Sequence, residues 1–132
     1  MSLAQLMNRD LKKIPLETTI QEAARIMGIQ RIGSLLVEKD GQWLGILTES
    51  DIVRKAAAKG MDLKKETVEA IISKPIITIE IGRTPQDAFD MMGEVSVRHL
   101  GVIDHGKMVG LLSVRDLLIH FKKQSEPRMG VD

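Results

Sequence analysis

The chain has 132 residues, a formal net charge of +1 and no cysteine. Its 19 basic and 18 acidic residues nearly cancel, which argues against general binding to nucleic acid or to an anionic membrane surface. The absence of cysteine excludes disulfides, thiolate metal sites and a cysteine nucleophile. No apolar run approaches the roughly 20 residues of a membrane span. Because cysteine is absent and the N-terminus lacks a secretory signal pattern, we expect an intracellular, cytoplasmic protein.

The sequence of the first half of the chain predicts a series of short helices and strands. Thr19 precedes a run of apolar residues at helical spacing and has Glu22 three residues later, which is typical of a helix N-cap. The predicted elements are a lead-in helix at Leu3–Met7, an extended segment at Ile14, the helix after Thr19, strands at Ser34–Glu38 and Leu44–Leu47 joined by a turn at Gly41, and a helix at Glu49–Lys59.

The second half predicts the same series. Thr84 is a second candidate N-cap, and Pro85 follows it at the first helical position. The predicted elements are a lead-in helix at Val68–Ser73, an extended segment at Ile76–Ile79, the helix after Thr84, strands at His99–Ile103 and Val109–Leu112 joined by a turn at Gly106, and a helix at Val114–Lys123.

The two halves align without a gap at an offset of 65 residues, and the best match sets Gly45–Asp51 against Gly110–Asp116. We therefore expect one repeat at 3–60, a linker at 61–67, a second repeat at 68–124 and a mobile tail at 125–132. The basic cluster of Lys55, Lys59, Lys64 and Lys65 is interpreted as part of a solvated linker.

Each repeat has the order β-α-β-β-α, so the fold class is α/β (α+β). A unit of about 60 residues buries too little surface to be secure alone. We therefore expect the repeats to pack through their sheets with pseudo-two-fold symmetry. Clefts between packed units are where small ligands usually bind.

The repeated pattern Gly-x-x-Thr/Ser-x-x-Asp lies where a strand ends and a helix begins. One interpretation is a helix cap, with Thr48 or Ser113 at the N-cap and Asp51 or Asp116 in the first turn. The other is a ligand site, because a helix N-terminus suits a phosphate and a carboxylate can accept both hydroxyls of a ribose. The two interpretations are compatible.

The doubled unit resembles a tandem pair of CBS (cystathionine-β-synthase-type) domains, a Bateman module. The resemblance is carried by Ser96–Asp104 followed by Gly110–Asp116, and by Gly33–Val37 followed by Gly45–Asp51. It implies a non-catalytic regulatory module that binds AMP, ADP, ATP or S-adenosylmethionine, requires no cofactor and forms homodimers. With no output domain in the sequence, it also implies an effector protein encoded separately.

The resemblance further implies two binding sites, each drawing on both repeats. One site comprises Lys13, Ile32, Gly33, Leu111, Ser113, Arg115 and Asp116. The other comprises Thr78, Val97, Arg98, His99, Ile46, Thr48, Ser50 and Asp51.

Each residue type has an implied role. The two aspartates would hold ribose hydroxyls, Thr48 and Ser113 would face phosphate, and aliphatic side chains would enclose the adenine. The side chains expected to neutralise phosphate are Lys13, Arg98, His99 and Arg115. Gly33 supplies no side chain where the other repeat has Arg98, so the two sites need not be equivalent.

Two other functions remain open. The chain can be a dimerisation or protein-interaction module whose clefts bind nothing, or, least expected, an enzyme. No nucleophile with a positioned base and no phosphate-binding loop of the Walker type occurs in the sequence. The three histidines lack the spacing of metal ligands, so no metal site is expected.

Overall fold

The computed structural model describes residues 1–126, which divide into two compact units. The first-repeat unit is Leu11–Ile76, and the second-repeat unit joins Met1–Asp10 to the chain from Ile77 onward. Most of the tail expected at 125–132 lies outside the described residues, and Ser125 is the last residue of the final helix.

The elements follow the predicted order, and their bounds differ from the predicted ones by a few residues. In chain order they are α1 (Leu3–Leu6), β1 (Lys13–Pro15), α2 (Ile20–Gln30), β2 (Ser34–Lys39), β3 (Gln42–Thr48), α3 (Glu49–Asp51), a π-helical segment (Ile52–Ala57), a 3-10 turn (Val68–Ala70), β4 (Thr78–Glu80), α4 (Pro85–Val95), β5 (His99–Asp104), β6 (Lys107–Ser113) and α5 (Val114–Ser125).

Each unit contains a three-stranded mixed sheet. In the first-repeat unit β1 runs parallel to β2, and β2 is antiparallel to β3; β4, β5 and β6 repeat this arrangement. Both hairpins turn through two residues of positive φ, Asp40 with Gly41 and His105 with Gly106. Such turns match the right-handed twist of the strands, which is why glycine stands at both predicted turns. The predicted mixed α/β class is confirmed.

One helix face packs on one sheet face in each unit. In the first-repeat unit Ile20 and Ala23 of α2 are fully buried against the strand residues Val37 and Leu47. In the second-repeat unit Ala88 and Met92 of α4, Leu117 of α5 and three strand residues form the equivalent core, the strand residues being Leu100, Val102 and Leu112. Capping by Thr19 and Thr84, as predicted, starts both helices: each hydroxyl accepts a hydrogen bond from the backbone N–H three residues later.

The lead-in segments belong to the unit of the other repeat. Leu3 is fully buried in the core of the second-repeat unit, and Val68 is fully buried in the core of the first-repeat unit. Asn8 exchanges two backbone hydrogen bonds of 2.9 Å with Leu111 of β6. The compact units therefore do not coincide with the sequence repeats at 3–60 and 68–124.

The segment predicted as a linker is bound to the first-repeat unit. The Leu63 carbonyl accepts a hydrogen bond from the Gln21 N–H at 2.9 Å, and the Glu66 carbonyl accepts one from the Ile20 N–H at 3.0 Å. Loop carbonyls thus satisfy two of the N–H groups that the first turn of α2 leaves without helical partners. Met61 and Leu63 pack against the core of the same unit.

The helices that follow the two hairpins differ. α5 is a regular α-helix of 12 residues, whereas α3 continues after Asp51 as a π-helical segment, in which the Ala58 N–H donates to the Val53 carbonyl five residues earlier. The predicted helix at Glu49–Lys59 is present with this wider turn. None of the helices in residues 1–126 has the length and apolar character needed to cross a membrane.

Candidate functional site

Both strand-to-helix junctions are capping boxes. The Thr48 hydroxyl accepts a hydrogen bond from the Asp51 N–H at 3.2 Å, and the Asp51 carboxylate accepts one from the Thr48 N–H at 3.0 Å. Ser113 and Asp116 make the same reciprocal pair at 3.2 Å and 2.9 Å. The interpretation of the motif as a helix cap is confirmed in both units.

The glycine of the motif makes room for the lead-in segment. A Cβ atom on Gly45 would lie 2.6 Å from the Ser73 carbonyl oxygen, and a Cβ on Gly110 would overlap the sulfur of Met7. Ser73 and Ile46 exchange backbone hydrogen bonds of 2.9 Å, which hold the segment at that distance. Packing within each unit thus accounts for the glycine.

Asp51 is bound from several sides within the first-repeat unit, where only 5% of its surface is exposed. Lys55 Nζ lies 2.9 Å from its Oδ1, and the Ser73 hydroxyl donates to the same oxygen at 3.0 Å. Lys55 also donates to the Ile71 carbonyl at 3.2 Å. A cation and several hydrogen-bond donors thus replace the water that this buried carboxylate loses.

Sequence reasoning missed both side chains that bind Asp51. The assignment of Lys55 to a solvated linker is wrong, because Lys55 lies on the π-helical segment and its ammonium contacts a buried carboxylate. The spacing of Asp51 and Lys55, four residues apart on a predicted helix, was the signal that could have revealed the pair. Ser73 offered no comparable signal, since it is distant in the sequence.

Asp116 has a simpler environment in the second-repeat unit. Within residues 1–126 its carboxylate accepts hydrogen bonds from Ser113 alone, through the backbone N–H and the hydroxyl, both at 2.9 Å. The side chain is half-buried, and it begins a helix of 12 residues whose N-terminal N–H groups and dipole favour an anion.

His99 begins β5 opposite Ser113 of β6 and is partly buried. Burial lowers the pKa of His99 below its ordinary value of 6.5, the nearby charge of Asp116 opposes that shift, and the charge of Arg98 reinforces it. The imidazole is therefore mainly neutral at neutral pH and offers a hydrogen bond rather than the positive charge expected for phosphate binding.

Lys13 and Gly33 lie in the first-repeat unit with acidic neighbours. Lys13 Nζ is 2.7 Å from a Glu38 carboxylate oxygen and 5.9 Å from the centroid of the Trp43 ring. A Cβ on Gly33 would lie 2.9 Å from Glu49 Oε1. The charge of Lys13 is thus already paired, and a carboxylate occupies the space beside Gly33.

The two site sets expected from the sequence are divided between the two units. The first-repeat unit holds Lys13, Ile32, Gly33, Ile46, Thr48, Ser50 and Asp51. The second-repeat unit holds Thr78, Val97, Arg98, His99, Leu111, Ser113, Arg115 and Asp116. Within the second-repeat unit the Val114 N–H donates to the Arg98 carbonyl at 2.8 Å, which ties the start of β5 to the start of α5.

The expected site residues differ in their exposure to solvent. Thr78, Arg98 and Arg115 are exposed, Ile46 is buried, and Val97 and Leu111 are half-buried.

No group of three or more His, Asp or Glu side chains within residues 1–126 is arranged to hold a metal ion.

Comparison with known proteins agrees with the repeat architecture. The family model for the CBS domain matches residues 3–58 and again 68–123. The CBS domain-containing protein YhcV of Bacillus subtilis is 27% identical over 90% of this chain and 84% of its own length. A protein of Methanopyrus kandleri is 31% identical over 89% of this chain, which covers 61% of that relative's length.

Solved structures show the same fold. A signal-transduction protein with CBS domains, described as putative, from Burkholderia ambifaria superposes with a TM-score of 0.89 at 26% identity, covering 98% of this chain and all of that one. A hexameric CBS-CP12 protein from cyanobacteria superposes with a TM-score of 0.84 at 26% identity, covering 96% of this chain and 72% of that one. The chain therefore belongs to the CBS-domain family, as a tandem pair of CBS domains.

Proposed function

We propose that this chain is a regulatory module that binds an adenosyl ligand, one of AMP, ADP, ATP and S-adenosylmethionine, and passes the binding on as a change in packing to a separate effector protein. The observation that carries the proposal is the carboxylate of Asp116. It is half-buried at the N-terminus of α5, and within residues 1–126 only Ser113 donates to it.

A ribose fits the chemistry of Asp116. Two vicinal hydroxyls donate to one carboxylate, and here the second carboxylate oxygen, Oδ1, accepts no hydrogen bond from the described residues. The N-terminus of α5 and the exposed guanidinium of Arg115 favour a phosphate or another anionic group beside the sugar. The half-buried side chain of Leu111 offers an aliphatic surface to a purine.

Because the ammonium of Lys13 is paired with Glu38 at 2.7 Å, we assign it no phosphate contact. A ligand that binds one conformation of the module more tightly than another shifts the equilibrium between them, which is how such a module would signal.

Calorimetry and thermal-shift measurements with the four compounds test the proposal. We expect at least one to bind with a dissociation constant below about 1 mM, equivalent to about −4 kcal/mol. Asp116→Asn should weaken binding at least ten-fold. The matched control is Asp90→Asn, an exposed carboxylate on α4 of the same unit. Absence of binding by all four compounds, or equal binding by the Asp116 and control variants, would refute it.

A self-association module is the second candidate function. Phe89 of α4 and Leu118 and Ile119 of α5 are 38%, 53% and 46% exposed, which is unusual for large apolar side chains on adjacent helices. Light scattering of wild-type and Leu118→Glu protein tests it. A dimer or larger assembly that the substitution dissociates, together with no response to any of the four compounds, would favour this function over ligand sensing.

A further inference from the structure

We infer that the two motif aspartates have different roles: Asp51 is an internal anchor held by Lys55 and Ser73, and the chain takes one adenosyl ligand, on Asp116. The part that concerns the ligand rests on the proposed function. The part that concerns the anchor rests on the first-repeat unit alone.

Both carboxylate oxygens of Asp51 are already bound by donors of the same unit, so neither is free to accept a ribose hydroxyl. Its Oδ2 accepts from the Thr48 N–H at 3.0 Å and from the Ser73 hydroxyl at 3.2 Å, and its Oδ1 accepts from Ser73 at 3.0 Å and contacts Lys55 Nζ at 2.9 Å. Two ribose hydroxyls would have to displace Lys55 and Ser73. That displacement is unfavourable, because a carboxylate that is only 5% exposed would lose a cation and gain neutral donors.

The same contacts fasten the lead-in segment to the sheet. Lys55 Nζ donates to the Ile71 carbonyl at 3.2 Å and lies 3.3 Å from the Ser73 hydroxyl, so one ammonium joins the helix after β3 to two residues of that segment. Ser73 in turn exchanges backbone hydrogen bonds with Ile46 of β3. Asp51 and Lys55 therefore stabilise the first-repeat unit, and this role requires no ligand.

The second-repeat unit replaces both partners at equivalent positions. At the 65-residue offset Ser73 corresponds to Asn8, whose side-chain oxygen accepts a hydrogen bond from the Asp10 N–H at 2.9 Å. Lys55 corresponds to His120, which is buried and packs on Phe121 with ring centroids 5.1 Å apart. Within residues 1–126 neither replacement donates a hydrogen bond to Asp116 or forms an ion pair with it, so this carboxylate keeps its capacity for a ligand.

Calorimetry with AMP, and separately with S-adenosylmethionine, tests the ligand part. We expect one ligand per chain, at least ten-fold weaker binding for Asp116→Asn, and a dissociation constant within two-fold of wild type for Asp51→Asn. Ser73→Ala, which keeps the carboxylate and its cation, provides the same comparison should Asp51→Asn fail to fold. Two ligands per chain, or a binding event lost in Asp51→Asn, would overturn this part.

A thermal-denaturation cycle without ligand tests the anchor part. Asp51→Asn and Lys55→Gln should each lower Tm, and the double variant should lower it by clearly less than the two losses added together. The matched cycle of Asp116→Asn and His120→Gln should be additive, because within residues 1–126 no hydrogen bond or ion pair joins those side chains. Additivity at Asp51 and Lys55 would overturn the anchor. If neither compound binds, the proposed function fails, and this cycle still decides the role of Asp51.

Discussion

Asp51 and Lys55 lie one helical turn apart, and the carboxylate oxygen of the first is 2.9 Å from the ammonium nitrogen of the second. Asp51 is buried, whereas 42% of the Lys55 side chain is exposed, so water reaches one side of the pair. The pair therefore keeps a net stabilising effect without the full cost of burying two charges.

Lys55→Ala should lower the free energy of unfolding by about 1–2 kcal/mol, since a buried carboxylate loses its cation while solvent compensates in part. Urea denaturation followed by circular dichroism measures the change. Lys59→Ala, which removes an exposed lysine from the same region, should change the midpoint little. Equal effects of the two substitutions would contradict the structural role of Lys55.

Gly45→Ala should destabilise the protein far more than Gly110→Ala. The new Cβ at Gly45 would meet the Ser73 carbonyl at 2.6 Å, and backbone held by two hydrogen bonds cannot move aside cheaply. At Gly110 the obstacle is the side chain of Met7, which can adopt another rotamer. We expect a loss of about 2–3 kcal/mol or more at Gly45, measured by thermal denaturation of both variants. A larger effect at Gly110 would show that Met7 is the more rigid neighbour.

Leu3→Ala should loosen the second-repeat unit although Leu3 belongs to the first repeat in sequence. Leu3 is fully buried in that unit's core, and truncating a buried leucine costs about 2–5 kcal/mol. Hydrogen exchange should show faster exchange in β5 and β6 and unchanged exchange in β2 and β3. Val68→Ala is the reciprocal variant, and it should loosen β2 and β3 instead.

His99 should titrate below pH 6.5, because burial lowers its pKa in the folded protein. The unfolded chain takes up the proton near 6.5, so the His99 contribution to stability should be complete above that pH. It should be lost progressively as the pH falls from 6.5 toward the folded pKa. Tm measured from pH 8 to pH 5 should fall less steeply in His99→Gln than in the wild type.

The charge of Asp116 partly offsets this shift, which gives a second measurement. Asp116→Asn should move the pKa of His99 lower still, as followed by NMR of the imidazole resonances. A pKa of His99 at or above 6.5, or one that the Asp116 substitution leaves unchanged, would contradict the placement of the two side chains.

Much of each unit follows from local sequence patterns. Threonine caps, helical spacing and glycine turns depend on neighbouring residues, so Thr19, Thr84, Gly41 and Gly106 could be interpreted correctly without tertiary contacts. Lys55 was misassigned because its partner depends on the exact course of a helix whose π-helical turn has no reliable sequence signature. Ser73 was missed because it meets Asp51 across 22 positions of chain.

The sequence alone determined that this is a tandem repeat of about 60 residues per copy, near neutral in charge, with a motif repeated 65 positions apart. Those properties depend only on the composition and on the arrangement of residues along the chain. Only the tertiary structure decided that each lead-in segment packs in the unit of the other repeat, and that Asp51 is enclosed while Asp116 is not. The physical reason is that burial and charge pairing depend on residues outside the repeated motif. These residues are Ser73 and Lys55 in one unit and Asn8 and His120 in the other, and the motif itself does not reveal them.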